Sequence, residues 1–346
     1  MDNRESMPAR TSHGSTSSWR QLRPGQARQE VFWFNDGNII VRIESRCFRV
    51  HRTVLRETGS PYFANLFNEV MHPPNEMVDG CCVYDIEGRG CDFAALLDGL
   101  YGQLTCLVEQ EPSFFTLACL LRASHRWQVP KLRAWAIQAL TRRWPPSLDQ
   151  VHKQVDLSEH ATRLIVLSRE CEEKSFLKRA FYRLLSLEDF DLGHKGSTEA
   201  GTNAGDASTR GEYDHEKVQW APADSELARE DILHVVRLQR YAAMFWTLLA
   251  RKPPSYDFLS DRERHSGWWS GPCSVRLDAV WHKQVTEAGF SIQGGRDPLG
   301  CLDNLRDIPW GTLGKICEAC VTDCRANWKR QQEAFWKIID REILDT

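Results

Sequence analysis

Between Ile39 and Trp144 the apolar residues change period several times, and each change is marked by a residue that ends one kind of structure and starts another. Ile39-Ile40-Val41-Arg42-Ile43 and Cys47-Phe48-Arg49-Val50-His51 are short β-rich runs separated by Glu44-Ser45-Arg46, which is the spacing of a β-hairpin. Ser60-Pro61 has the form of an N-cap followed by proline at the first helical position. The residues after it place Tyr62, Phe63, Leu66, Phe67 and Val70 on one helical face, closed by Pro73-Pro74. Val83-Tyr84-Asp85-Ile86, between Gly80 and Gly88, reads as the next strand. Three helices follow, marked by Phe93, Leu96, Leu97 and Leu100, by Phe114, Leu117, Leu120 and Leu121, and by Leu132, Trp135, Ala136 and Leu140. Gly102 ends the first, Pro112-Ser113 opens the second, Pro130 opens the third and Pro145-Pro146 stops it. Hairpin, helix, strand and three helices in one block from Val31 to about residue 145 is an α+β pattern.

At 346 residues the chain is long enough for two domains or one large one, and 42% hydrophobic residues supply a real core. Residues 150–346 read as mostly helical. Two stretches are too poor in apolar residues to repay the entropy of ordering: residues 1–29, and a loop from Gly193 to about Pro222 dominated by Gly, Ser, Thr and Asp. Lys and Arg total 44 against 47 Asp and Glu, interspersed, so neither direct nucleic-acid binding nor a membrane surface is expected as partner. The first thirty residues lack the apolar run of a secretory signal, and no stretch is apolar enough to span a membrane. The twelve cysteines are scattered, which fits a reduced protein of the cytosol or nucleus better than a disulfide framework.

Four segments in order resemble the BTB/POZ domain: FRVHRTVL (Phe48 to Leu55), SPYFANLF (Ser60 to Phe67), FAALLDGLYG (Phe93 to Gly102) and LLRASHRWQVPKLRAWAIQAL (Leu120 to Leu140). In the second half ATRLIVLSRECEEKSFLKRAFYRLLS (Ala161 to Ser186), LAREDILHVVRLQRY (Leu227 to Tyr241) and DPLGCLDNL (Asp297 to Leu305) resemble a helical region that follows BTB domains in the expanded BTB family of mushroom-forming fungi. The resemblance implies a BTB/POZ fold over 31–145 with a helical C-terminal region, and protein–protein interaction by self-association, with a second copy or other BTB proteins as partners. Members of the family also recruit cullin ubiquitin-ligase scaffolds or act in transcriptional regulation, which are the alternative readings. In some BTB dimers an Asp of the first strand and an Arg after the second-strand His share a buried pocket at the seam. Arg52, after His51, matches that Arg, but Asn38 stands at the matching acidic position, and Asp36 two residues earlier is the substitute counter-charge. Leu107-Val108-Glu109 has the form of the family's cullin-binding element, so Leu107 and Glu109 are the residues it would use.

The most metal-like pattern is Cys317-x2-Cys320-x3-Cys324, with Cys301, His282 or Cys273 able to complete a zinc site. The same spacing, i, i+3, i+7, is also one face of a helix that continues through Trp328, Phe335 and Ile339, and core is the favoured reading; no cofactor is expected. Asp156, Glu159 and His160 fit an acid-rich helix start, His51 and His125 fit structural histidines, and Gly294-Gly295 lacks the residues of a phosphate loop and reads as a turn. No nucleophile elbow, kinase signature or HExxH occurs, so no enzyme is expected. Of the thirteen tryptophans most read as core, while Trp268-Trp269, beside Gly267 and Gly271, read as loop residues.

Overall fold

The computed structural model describes residues 27–68, 70–72, 76–102, 112–150, 160–187, 220–254, 273–287 and 290–344. The chain forms two compact units, residues 1–136 with 209–218 and residues 137–208 with 219–346, each with its own core.

The N-terminal unit holds a five-stranded sheet of β1 (Ala27–Trp33), β2 (Ile39–Ile43), β3 (Arg46–Val50), β4 (Glu76–Val78) and β5 (Cys81–Asp85), in the order β1-β3-β2-β5-β4. The β2–β3 hairpin pairs Ile39 with Val50 and Ile43 with Arg46, as the runs of β-formers predict. β2 then pairs in parallel with β5, Ile39 opposite Cys82, so the chain between them has to cross over the sheet. It does so through α1 (Arg52–Arg56) and α2 (Pro61–Leu66). Ser60 caps α2 by accepting the Phe63 N–H at 3.2 Å, and its own hydroxyl donates to the Trp127 carbonyl.

β2 reads IIVRI without alternation because both its faces are covered, and all five residues are buried. One face carries Ile39, Val41 and Ile43 against Phe48, Val50, Phe63, Phe93, Leu97 and Trp127. The other joins Ile40, Cys47, Val78, Cys81 and Val83. On that second face the buried Arg42 forks onto Asp85 and reaches Glu76 from adjacent strands, so its charge is met inside the sheet. α3 (Gly90–Leu100) and α4 (Phe114–Arg126) pack on the first face, and α5 (Pro130–Arg143) opens at Pro130 just after Val129.

Three details differ from the sequence reading. β1 starts at Ala27, inside the segment assigned to a disordered 1–29; the ladder onto β3 and the Ala27 N–H to Ser45 carbonyl bond (2.7 Å) order a polar strand whose side chains would not. Residues 1–26 lie outside the described residues. α2 stops at Leu66 rather than running to Val70, which is 90% exposed, because Asn68 accepts the N–H groups of Val70, Met71 and His72 and turns the chain. The strand β4 was not expected at all. Its turn into β5 is Asp79-Gly80, with φ of 48° and 75°, a two-residue hairpin loop for which Asp-Gly is the favoured sequence.

The C-terminal unit contains α6 (Ala161–Glu170), α7 (Leu177–Leu185), α8 (Arg229–Ala250), α9 (Cys273–Trp281), α10 (Phe290–Arg296), α11 (Pro298–Asp307), α12 (Trp310–Gly314) and α13 (Glu318–Leu344). Its core is centred on Trp281, Trp310 and Trp328, whose rings lie 5.7–6.2 Å apart. Gly294-Gly295 sit within α10 rather than in a turn: a Cβ on Gly294 would fall 2.0 Å from the Trp246 ring, so α10 can approach α8 only with glycine there. Most of the loop expected from Gly193 to Pro222 lies outside the described residues; its last residue, Pro222, opens a short 3₁₀ turn to Ser225.

Candidate functional site

At the open end of the hairpin the loop after β1 returns beneath the first helix. Asn38 accepts the Arg52 backbone N–H through Oδ1 at 2.8 Å, which caps α1 where the side chain of His51, the N-cap residue, does not. Asp36, the proposed counter-charge of Arg52, instead meets His51 Nε2 at 3.2 Å. The Arg52 guanidinium is directed toward α2, where it donates to the Phe67 carbonyl at 2.6 Å and covers the Phe67 ring. The two residues separate because Arg52 sits on the first turn of α1, facing α2, while Asp36 lies on the loop beside the hairpin end.

Tyr101, just past α3, completes this corner. Its phenol oxygen accepts the His51 backbone N–H at 3.0 Å and lies 3.0 Å from Nδ1, so its own proton can serve Nδ1 and leave Nε2–H for Asp36. The hydrogen bond from His51 is the main reason the Asp36 carboxyl lies below the usual carboxylate range, and burial pushes the Tyr101 hydroxyl up. An Asp–His–Tyr chain resembles a proton relay, but this one ends on a backbone N–H. It works as a joint between the loop, β3 and α3, with the Phe34 ring packed at a tilt against both rings.

In the C-terminal unit the cysteines fall differently from their spacing in the sequence. Cys320 and Cys324 lie on the buried face of α13 with Trp328, Phe335 and Ile339, as the helical period predicts. Cys317 precedes the helix and is exposed. Cys324 is one turn further along, about 6 Å down the axis, and packs in the tryptophan core. Its place beside the other two is taken by Cys273, the first residue of α9: the sulfurs of Cys273, Cys317 and Cys320 all lie within 4.8 Å of one another.

Backbone geometry holds this trio together. The Cys317 N–H points at the Cys273 sulfur (3.4 Å) and the Cys320 N–H at the Cys317 sulfur (3.5 Å). Arg276, in the first turn of α9, donates to the Lys315 carbonyl at 2.6 Å and anchors the segment leading to Cys317. Slight burial works to raise the Cys317 thiol, but hydrogen bonds from Cys320, Cys273 and the Ala319 backbone outweigh it and lower the thiol below its ordinary range. Burial pushes Cys320 well up and Cys301 up to about 12, and Cys301 lies in the core. His282, the other proposed ligand, is exposed and faces Glu287 at 3.2 Å.

Two further features are built from the same materials. Cys91 and Asp92 of α3 converge with Cys119 of α4, and the buried Asp92 lies 4.0 Å from Arg122. Between α8 and α13 a cavity of about 340 Å³ is lined by Tyr241, Phe245, Leu249, Trp281 and Trp328, with Lys252 at its edge. Trp328 Nε1 has no hydrogen-bond partner among the described residues. Leu107, Glu109, Asp156, Glu159 and Trp268-Trp269 lie outside the described residues. No helix among the described residues is long and apolar enough to cross a membrane.

Compared with family models, with curated proteins and with solved structures, the chain gives no match to any of them.

Proposed function

We propose that the chain is a protein–protein interaction module rather than an enzyme, and that residues 31–145 are a BTB/POZ-type domain that self-associates. The observation that carries this reading is an order of elements: an antiparallel hairpin, a two-helix crossover, a strand returning in parallel beside the first hairpin strand, and then three helices. The motifs that carry the resemblance fall on those elements in register. FRVHRTVL spans β3 into α1, SPYFANLF is the capped α2, FAALLDGLYG is α3, and LLRASHRWQVPKLRAWAIQAL is the α4–α5 pair.

The sheet supports self-association because β1 and β4 stand at its two ends, each paired on one side among the described residues. An end strand is a template for another chain. The occupant we commit to is a second copy, with β1 and α1 at the seam. Asn38 and Asp36 are engaged with the backbone of α1 and with His51, so the acid–arginine pocket of some BTB dimers is not the basis of the seam proposed here.

Light scattering on the full chain across a dilution series tests the reading. A dimer that weakens on Thr53→Arg, a change on the exposed side of α1, supports it, and a monomer at every concentration overturns it.

A further inference from the structure

We propose that Cys273, Cys317 and Cys320 form a zinc site that ties the start of α9 to the start of α13. Three thiols converge although Cys273 stands 44 residues before Cys317 in the sequence, and one of them, Cys317, is at the surface where an ion can enter. A tetrahedral zinc thiolate site has Zn–S bonds of about 2.3 Å and therefore sulfurs about 3.8 Å apart. The observed sulfurs, all within 4.8 Å, need to close by at most about an ångström. Cys317-x2-Cys320 is the short arm of such a site, and its turn already directs the Cys320 N–H at the Cys317 sulfur, as a bound thiolate requires.

The site forms by exchange of protons for metal. Each thiol that ligates loses its proton to solvent as its Zn–S bond forms, so three protons leave and the tris-thiolate centre carries a single negative charge. That charge sits at the N-terminus of α13, a helix of 27 residues, and on the chain segment that Arg276 holds. Among the described residues no fourth protein donor joins the group. Soft sulfur donors and tetrahedral spacing select zinc over calcium or magnesium, which take oxygen. A Cys317–Cys320 disulfide would use two of the sulfurs and leave the convergence of Cys273 without a role.

Bound metal would stabilise the folded chain, since the two arms are brought together only on folding. The test loads the full chain, purified under reducing conditions without chelator, with zinc chloride, removes the excess by gel filtration and counts zinc by elemental analysis. About one zinc per chain is expected for the parent and for Cys324→Ser, and almost none for Cys273→Ser or Cys317→Ser. Cys317 is exposed, so Cys317→Ser keeps its fold, which far-UV circular dichroism checks directly. A chelator should lower the unfolding temperature of the parent and leave that of Cys317→Ser unchanged. The proposal is overturned if the parent retains no zinc, if Cys317→Ser retains as much as the parent, if Cys324→Ser loses it equally, or if alkylation mapping finds Cys317 disulfide-bonded to Cys320 under reducing conditions.

Discussion

In the N-terminal unit the core is a sheet face of Ile39, Val41, Ile43, Phe48 and Val50 closed by Phe63, Phe93 and Trp127; in the C-terminal unit it is three packed tryptophans framed by Leu277, Leu302, Leu305 and buried cysteines. The sheet ties residues far apart in sequence through backbone hydrogen bonds, so side-chain shape refines a geometry that the ladder already sets. Among the described residues the helical unit has no ladder between its elements, and its helices meet through side chains. Charge is handled differently too. Arg42 is met across two strands by Asp85 and Glu76, whereas Arg169 reaches Asp231 and Lys178 reaches Asp340 from one helix to another.

The largest expected effects break each core separately. Phe93→Ala removes a ring that packs edge-on against both Phe48 and Trp127, and Trp328→Ala removes one member of the tryptophan cluster. Each should cost about 3–5 kcal/mol in urea unfolding. Hydrogen exchange sharpens the comparison: each variant should loosen its own unit and leave protection in the other unchanged. A cost below about 1 kcal/mol for Trp328→Ala would mean that the helical unit is not centred on its tryptophans.

Arg42→Met should cost about 2 kcal/mol, less than the 3–5 kcal/mol typical of a fully buried pair broken on one side, because Asp85 is 43% exposed and can recover water. Ser60→Ala should cost about 1 kcal/mol, since it removes both the cap of α2 and the bond to the Trp127 carbonyl. The smallest effect is one of pH. The carboxyl of Asp36 has a lower pKa in the folded chain than in the unfolded one, so the unfolded state binds more protons between the two values. The stabilisation is complete above the unfolded value of about 4 and is lost as pH falls through the lower folded value. The difference in urea midpoint between the parent and Asp36→Asn should therefore be present near neutrality and shrink in acid; a difference that stays constant with pH would remove the charge on Asp36 as its cause.

Much of the N-terminal unit was legible because its signals are local. Runs of β-formers, Ser60-Pro61 and Ser113 each act within a few residues and mark where elements start. Asp79-Gly80 carries the same kind of signal, but the β4 run before it is only three residues long and shows no period. Val70 shows the opposite failure: its helical spacing was correct, but Asn68 had already ended the helix. At the candidate sites the residue types were legible and their partners were not. Nothing in the spacing of Asp36 indicates His51 rather than Arg52, or selects Cys273 over Cys324 to stand beside Cys317 and Cys320.

By itself the sequence determined where the β2–β3 hairpin and the capped helices of the first unit begin, which face of α13 is apolar, and that the first unit mixes strands with helices, because propensity, capping and period act over one or two turns of chain. Tertiary structure alone decided that β5 lies parallel to β2, that Gly294 admits the Trp246 ring, that Asp36 serves His51, and that three cysteines from two distant helix starts meet. Those choices depend on distances between elements, which are set only when the packed core fixes one helix or strand against another.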